Sequence, residues 1–197
     1  MAKIKKNYNF LFAGVGGQGT ILASDILSEI GLRCGYDVKK SEVHGMSQRG
    51  GAVESHVRWG EKVYSPVIEE GKADFLIAFE MLEAARWTHF IGPNTVALVN
   101  RHQIFPPTVN LGQAKYPSVK ELDDMLAGAK VVWVEGAAKA LELGNPALGG
   151  VVLLGVLSTY LDEPVEVWEN TIRDLVPEKF RDLNVKAFNA GRLPVLE

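Results

Sequence analysis

Two stretches of this chain gather the residue types that do chemistry. The first is Phe10-Leu-Phe-Ala-Gly14-Val-Gly16-Gly17-Gln18-Gly19-Thr20, an apolar run entering a turn in which Gly14, Gly16 and Gly19 fit G-x-G-x-x-G. In that pattern the first glycine permits a tight turn, the second admits a ligand to the backbone, and the third lets the following helix pack on the strand. Amides at the helix start, aligned with its dipole, then face an anion such as a phosphate. Gly14, Gly16, Gly17, Gln18, Gly19 and Thr20 are therefore candidate binding residues. The same turn also serves as a purely structural joint in open α/β folds, and the pattern alone leaves both readings open.

The second stretch is Ser41-Glu-Val-His44-Gly45-Met46-Ser47-Gln48-Arg49-Gly50-Gly51. It is too polar for a core element, yet sets His, Ser, Gln and Arg between glycines, as loops do when the backbone must approach a ligand that side chains orient. Ser47, Gln48, Arg49, Gly50 and Gly51 join the candidate binding set, and Arg49 carries a planar fork suited to bidentate contact with a phosphate or carboxylate. Arg49 and His44 are also the candidates for reaching a catalytic centre. The alternative is a flexible loop with a solvated Arg49. Against it stands the alternation Ala52-Val-Glu-Ser-His-Val-Arg-Trp59, a strand that would hold the end of the loop.

The elements that position these residues follow the rhythm of an α/β fold: a Rossmann-like open mixed sheet with helices on both faces and a C-terminal helical segment. The helix after the glycine turn spans 17–33, with Gly35 as its stop. Tyr36–Lys40 is the second strand. A dinucleotide fold ends this strand on an acid for the ribose, whereas here Asp37 falls early, Glu42 late, and Lys39 and Lys40 lie between. Those lysines suit an extra phosphate or are simply solvated. Trp59-Gly-Glu-Lys62 turns toward Val63-Tyr-Ser65, which predicts a hairpin and hence a mixed sheet.

Asp74–Phe79, Thr95–Val99 and Lys130–Glu135 are further strands. Glu80 to Phe90 is a helix, and Glu80 at a strand's carboxyl end is either a ligand group or an acid favouring the helix start. Arg101–Pro117 is a long excursion, and Ser118-Val-Lys-Glu121 is a capping box for a helix to Ala127. Asn145-Pro146 opens an apolar helix over 147–161, Pro164 opens another carrying Trp168, and Pro177 opens the last, stopped by Gly191. The 147–161 helix and the Trp168 helix carry more apolar surface than one domain of this size needs, so part of it is expected to be an interface with another chain or a second copy.

At 197 residues the chain can bury one sizeable core and is expected to form a single domain, 1–197. Its net charge of -3 gives no basic footprint for nucleic acid or an anionic membrane. The longest apolar run, 149–161, is too short to span a bilayer, and the basic start Met1-Ala-Lys-Ile-Lys-Lys leads only into a short strand, so a cytoplasmic location is expected. Cys34 is the sole cysteine, which excludes internal disulfides and an iron–sulfur cluster held by this chain alone. No metal site is expected.

Gly14-Val-Gly-Gly-Gln-Gly19, Glu42-Val-His-Gly-Met-Ser-Gln-Arg-Gly-Gly51, Ala73-Asp-Phe-Leu-Ile-Ala-Phe-Glu80 and Asn184-Val-Lys-Ala-Phe-Asn-Ala-Gly191 together resemble the gamma domain of 2-oxoacid:ferredoxin oxidoreductases. Within that family the likeness is to the small (beta) subunits of the indolepyruvate enzymes. It covers essentially the whole chain. The resemblance implies a complex that decarboxylates aryl pyruvates oxidatively with coenzyme A, giving an acyl-CoA, carbon dioxide and reduced ferredoxin. The chain has neither a Gly-Asp-Gly thiamine diphosphate signature nor a cysteine set for clusters, so a large (alpha) partner subunit is expected to hold both. This subunit would be inactive alone, would complete the partner's active site, and would hold coenzyme A, bound loosely, through the turn and the Arg49 loop. Its partners would be the large subunit, ferredoxin through the complex, or a second copy of itself. Two alternatives remain: a gamma subunit specific for pyruvate or another 2-oxoacid, and a stand-alone Rossmann-like module binding NAD(P) or FAD.

Overall fold

The computed structural model describes residues 6–44 and 50–193, without the side chain of His44. In chain order the elements are β1 (Tyr8–Val15), α1 (Thr20–Arg33), β2 (Asp37–His44), β3 (Ala52–Gly60), β4 (Ala73–Ala78), α2 (Met81–Arg86), β5 (Ile91–Asn100), α3 (Pro107–Asn110), α4 (Val119–Met125), β6 (Lys130–Val134), α5 (Gly136–Glu142), α6 (Gly149–Ser158), α7 (Val165–Leu175) and α8 (Arg181–Arg192). The sheet has 6 strands in the order β2-β3-β1-β4-β5-β6. β1, β4, β5 and β6 run parallel, while β3 lies antiparallel between β1 and β2. The sheet is mixed, as expected, but through a different hairpin.

That hairpin is β2–β3, with Lys40 opposite Val57 and His44 opposite Val53. Both hydrogen-bonding edges of β3 are thereby occupied, by β2 and by β1, so Val63-Tyr-Ser65 has no edge to join and forms no strand. It is tied down by side chains instead. The Val63 amide donates to the Asp37 carboxylate at 2.9 Å, and Arg58 Nη1 donates to the carbonyls of Ser65 and Val67 at 3.0 and 3.2 Å. The second strand is also longer than expected, since Ser41, Glu42 and Val43 continue the ladder opposite His56, Ser55 and Glu54.

Alternation along β1 builds two cores, because successive side chains of a strand point to opposite faces. Phe10 and Phe12 join Ile26, Leu27, Trp59 and the C-terminal helices on one face, while Leu11 and Ala13 join Leu76, Met81, Phe90 and Leu122 on the other. Every residue of α6 is buried, and Trp168 of α7 is fully buried. At these positions the chain covers the apolar surface itself, so the interface expected from part of these two helices does not lie there. α8 does much of the covering, and its approach depends on glycine: a Cβ on Gly155 would lie 2.1 Å from the Phe188 carbonyl oxygen, and one on Gly191 2.0 Å from that of Val152. Gly191 is thus a contact point inside α8 rather than its stop.

Candidate functional site

The glycine turn sits at the carboxyl end of β1 and leads straight into α1. Gly17 and Gly19 have φ of 102° and 84°, a left-handed conformation that a side chain disfavours, so α1 starts at Thr20 rather than Gly17. Gly14 is excluded from carrying a side chain for another reason, since its Cβ would lie 2.6 Å from Thr20 Oγ1 and 3.0 Å from Phe79 Cβ. The β2–β3 connection is latched to this turn. Gly16 donates to the Gly51 carbonyl at 2.8 Å, and Gly50 donates to the Gly16 carbonyl at 3.3 Å. The two stretches singled out from sequence, the first and last parts of the candidate set, therefore meet. Ser47, Gln48 and Arg49 lie outside the described residues, as does the side chain of His44.

Beside the turn, at the amino end of α1, a cleft of ≈ 530 Å³ is lined by Gly16, Gly17, Gly19, Thr20, Ile21 and Val53. Thr20 is buried, and its hydroxyl has no partner among the described residues. A 14-residue helix pointing its free amides at a concave, glycine-walled space is an arrangement that favours an anion. Gln18 plays a different part. Its Oε1 accepts from the Val15 amide at 2.7 Å and its Nε2 donates to the Phe79 carbonyl at 3.1 Å, so the side chain braces the turn against the end of β4. Asn100, at the end of β5, donates to the same carbonyl at 3.2 Å and accepts from the Ala137 amide at 3.0 Å. On that side of the turn lies a second cavity, of ≈ 360 Å³, between the strand ends, α5 and the start of α6.

Other candidates are engaged in structure. Lys39 pairs with Asp37, and Lys40 with Asp25 and Glu42, so neither lysine is set aside for a phosphate. The Lys39 ammonium, helped by the Val63 amide, holds the Asp37 carboxyl below the usual carboxylate range. Glu80 is buried and caps α2: one carboxylate oxygen accepts from the Glu83 amide at 2.9 Å, the other from the Ile104 amide at 3.0 Å and from the Tyr116 hydroxyl. Burial, and then the Glu80 charge, push the Tyr116 phenol far above its ordinary value. Of the two sequence readings of Glu80, the helix-capping one holds.

Sequence reasoning missed Asn100, Ile21 and Val53 as lining residues. Asn100 had a signal, a polar residue directly after the apolar run Thr95–Val99. The other two had none, since each belongs to an ordinary amphipathic pattern and reaches the cleft only through the packing of β3 against β1.

A glycine turn at the end of a parallel strand, opening on a cleft at a helix start, defines a Rossmann-like α/β fold, and the carboxyl edge is where such sheets take ligands. More particularly, residues 9–193 match the model of the pyruvate ferredoxin/flavodoxin oxidoreductase family, and the chain belongs to it. It is 39% identical over 191 residues to an indolepyruvate oxidoreductase subunit of Thermococcus kodakarensis, covering 94% of this chain and 95% of that one. A subunit of the same name from Archaeoglobus fulgidus is 40% identical over 187 residues, covering 93% and 92%. Among solved structures, the gamma subunit of a keto/oxoacid ferredoxin oxidoreductase from Geobacter sulfurreducens superposes with a TM-score of 0.69 at 23% identity, covering 93% of this chain and 95% of that one. The shared fold is that of gamma subunits.

Proposed function

We propose that this chain is the small subunit of an indolepyruvate-type 2-oxoacid:ferredoxin oxidoreductase. The observation that carries this reading is near-40% identity, sustained over more than nine-tenths of the chain, to relatives named as indolepyruvate oxidoreductase subunits. A large partner subunit supplies thiamine diphosphate and the iron–sulfur clusters, consistent with a chain whose single cysteine cannot furnish a four-cysteine ligand set. The chain is inactive alone and works in the cytoplasm. Its carboxyl edge completes the partner's active site, and its cleft at the amino end of α1 holds a phosphate group of coenzyme A, with Arg49 as the charged clamp.

The fold supports this ligand over a dinucleotide. In a dinucleotide-binding sheet the strand after the first helix lies parallel beside the first strand and its terminal acid reaches the ribose. Here β3 intervenes, which puts β2 two strand spacings, about 10 Å, from β1. The early acid of β2, Asp37, is also turned to Val63 and Lys39.

The test is co-expression with the large subunit, followed by assay of keto-acid- and coenzyme-A-dependent ferredoxin reduction. Activity that requires both chains and prefers indolepyruvate supports the proposal. Turnover by this chain alone refutes it, and a preference for pyruvate or 2-oxoglutarate moves the subunit to another specificity in the family. In the active complex, Arg49→Ala raises the apparent constant for coenzyme A and leaves that for the keto acid unchanged. The reverse pattern assigns Arg49 to the substrate carboxylate.

A further inference from the structure

The ≈ 360 Å³ cavity on the far side of the glycine turn plays no part in the phosphate reading, yet it is a built site. It lies outside the carboxyl ends of β1, β4 and β5, where open α/β sheets take ligands, and its size falls within the ordinary range for small-molecule pockets. Phe79 and Leu141 supply apolar wall, and the Phe79 ring is fixed because it packs on Gly150, where a Cβ would lie 2.4 Å from it. Among the described residues, the polar groups lining it are Gln18, Asn100 and His102, with no acid, lysine or arginine.

The orientation of both amides is fixed by backbone partners. Gln18 Oε1 and Asn100 Oδ1 are each occupied by a backbone N–H, from Val15 and Ala137, which fixes which end of each amide is nitrogen. Both nitrogens donate to the Phe79 carbonyl, at 3.1 and 3.2 Å. Since a primary amide carries two N–H groups, each keeps a second donor beyond that bond, among the bonds of the described residues. Among the described residues, an apolar pocket with two oriented amides, an imidazole and no formal cation selects an acceptor without a dense charge.

We infer that this cavity binds a small ligand with an apolar body bearing a carbonyl or carboxylate oxygen, the oxygen accepting from Gln18 Nε2 and Asn100 Nδ2. Two molecules of the proposed reaction have that chemistry: the keto acid, and the amide-bearing arm of coenzyme A, which could enter past Gly17, a wall common to this cavity and the cleft. Naming those sources rests on the proposed function. The cavity does not.

The experiment uses the full chain with two probes, indole-3-acetate for an arylalkyl carboxylate without the 2-oxo group of the keto acid and pantetheine for the arm, followed by calorimetry and by NMR of the side-chain amides. One probe is expected to bind with a dissociation constant of roughly 1 mM or tighter, a reasonable affinity for molecules of this size, and to shift the Gln18 and Asn100 side-chain signals. Ala147→Phe, at the exposed rim of the cavity, should weaken that binding by at least about tenfold with an unchanged melting temperature. Binding by indole-3-acetate alone assigns the site to the substrate, and binding by pantetheine alone assigns it to the arm. Failure of both probes at roughly 10 mM overturns the inference, as does binding that Ala147→Phe leaves intact or that shifts only Ile21 and Val53 of the neighbouring cleft. Because this readout needs no turnover, a complex that fails the activity assay leaves it standing.

Discussion

Replacing Gly155 with alanine tests how the C-terminal helices are locked onto the sheet. The added Cβ would lie 2.1 Å from the Phe188 carbonyl oxygen and 2.9 Å from Gly191 Cα, where an ordinary contact begins at 3.4 Å. The obstacles are backbone atoms, so no side chain can rotate away. α6 and α8 must part locally by the difference, 3.4 less 2.1, or about 1.3 Å. Opening a packed interface by ~1 Å forfeits up to about half of the dispersion attraction across it, and overpacked cores lose about 1–3 kcal/mol. With both helices committed to one core the upper end, ~3 kcal/mol, applies, and the better helix propensity of alanine returns about 1 kcal/mol. A net loss of ~2 kcal/mol corresponds to a melting temperature about 4–8 °C lower for a chain of this length. Calorimetry or circular dichroism against Gly128→Ala, whose Cβ meets only a methyl of Ile91 at 3.3 Å, provides the measure and its control. A Gly155→Ala protein that melts with the parent, or above it, refutes the close-packing argument.

Glu80→Ala removes the α2 cap and strands the Ile104 amide and the Tyr116 hydroxyl, so urea unfolding should show a loss of about 3 kcal/mol. Because the folded state keeps the Tyr116 phenol protonated where an unfolded tyrosine ionises, its contribution to stability is present below about pH 10 and lost above it. Absorbance titration of Tyr116→Phe should therefore match the parent up to roughly pH 11, and a missing tyrosinate step below that would contradict the burial. His56 is buried, its pKa lowered by desolvation, and its Nδ1 accepts from the Ile68 amide at 3.2 Å. The unfolded chain takes up that proton below about pH 6.5 while the folded one resists it, so stability falls as pH drops through this window, and His56→Asn should flatten the fall. Nearby Glu54 works with the opposite sign, since burial raises its pKa and its contribution is lost as pH rises above about 4.5. Gly14→Ala, which would push Thr20 and Gln18 out of the turn, should cost the complex its coenzyme A affinity before it costs the chain its fold, as measured by the apparent constant against the melting temperature.

The strand–turn–helix at Phe10–Thr20, the capping box at Ser118 and the strands at Asp74, Thr95 and Lys130 were legible in the sequence because each depends on neighbours a few residues away. The family, too, was legible, through the Gly14–Gly19 and Glu42–Gly51 strings together. Strand partnership was not. Val63–Ser65 has the composition of a strand but finds β3 already paired on both edges, and pairing is settled between segments far apart in sequence. For the same reason the roles of Gln18, Lys40 and Glu80 changed once their partners were known: Phe79, Asp25 and Tyr116 lie 61, 15 and 36 residues away, and a hydrogen bond or ion pair decides whether a polar side chain faces a ligand or the chain itself. The sequence by itself determined that the 147–161 segment is apolar on nearly every side and therefore buried, in the core or against another chain. Only the tertiary structure decided that the cover is α8 of the same chain rather than another molecule, because that turns on glycines 36 residues apart meeting at backbone contact, a match of shapes that no local pattern encodes.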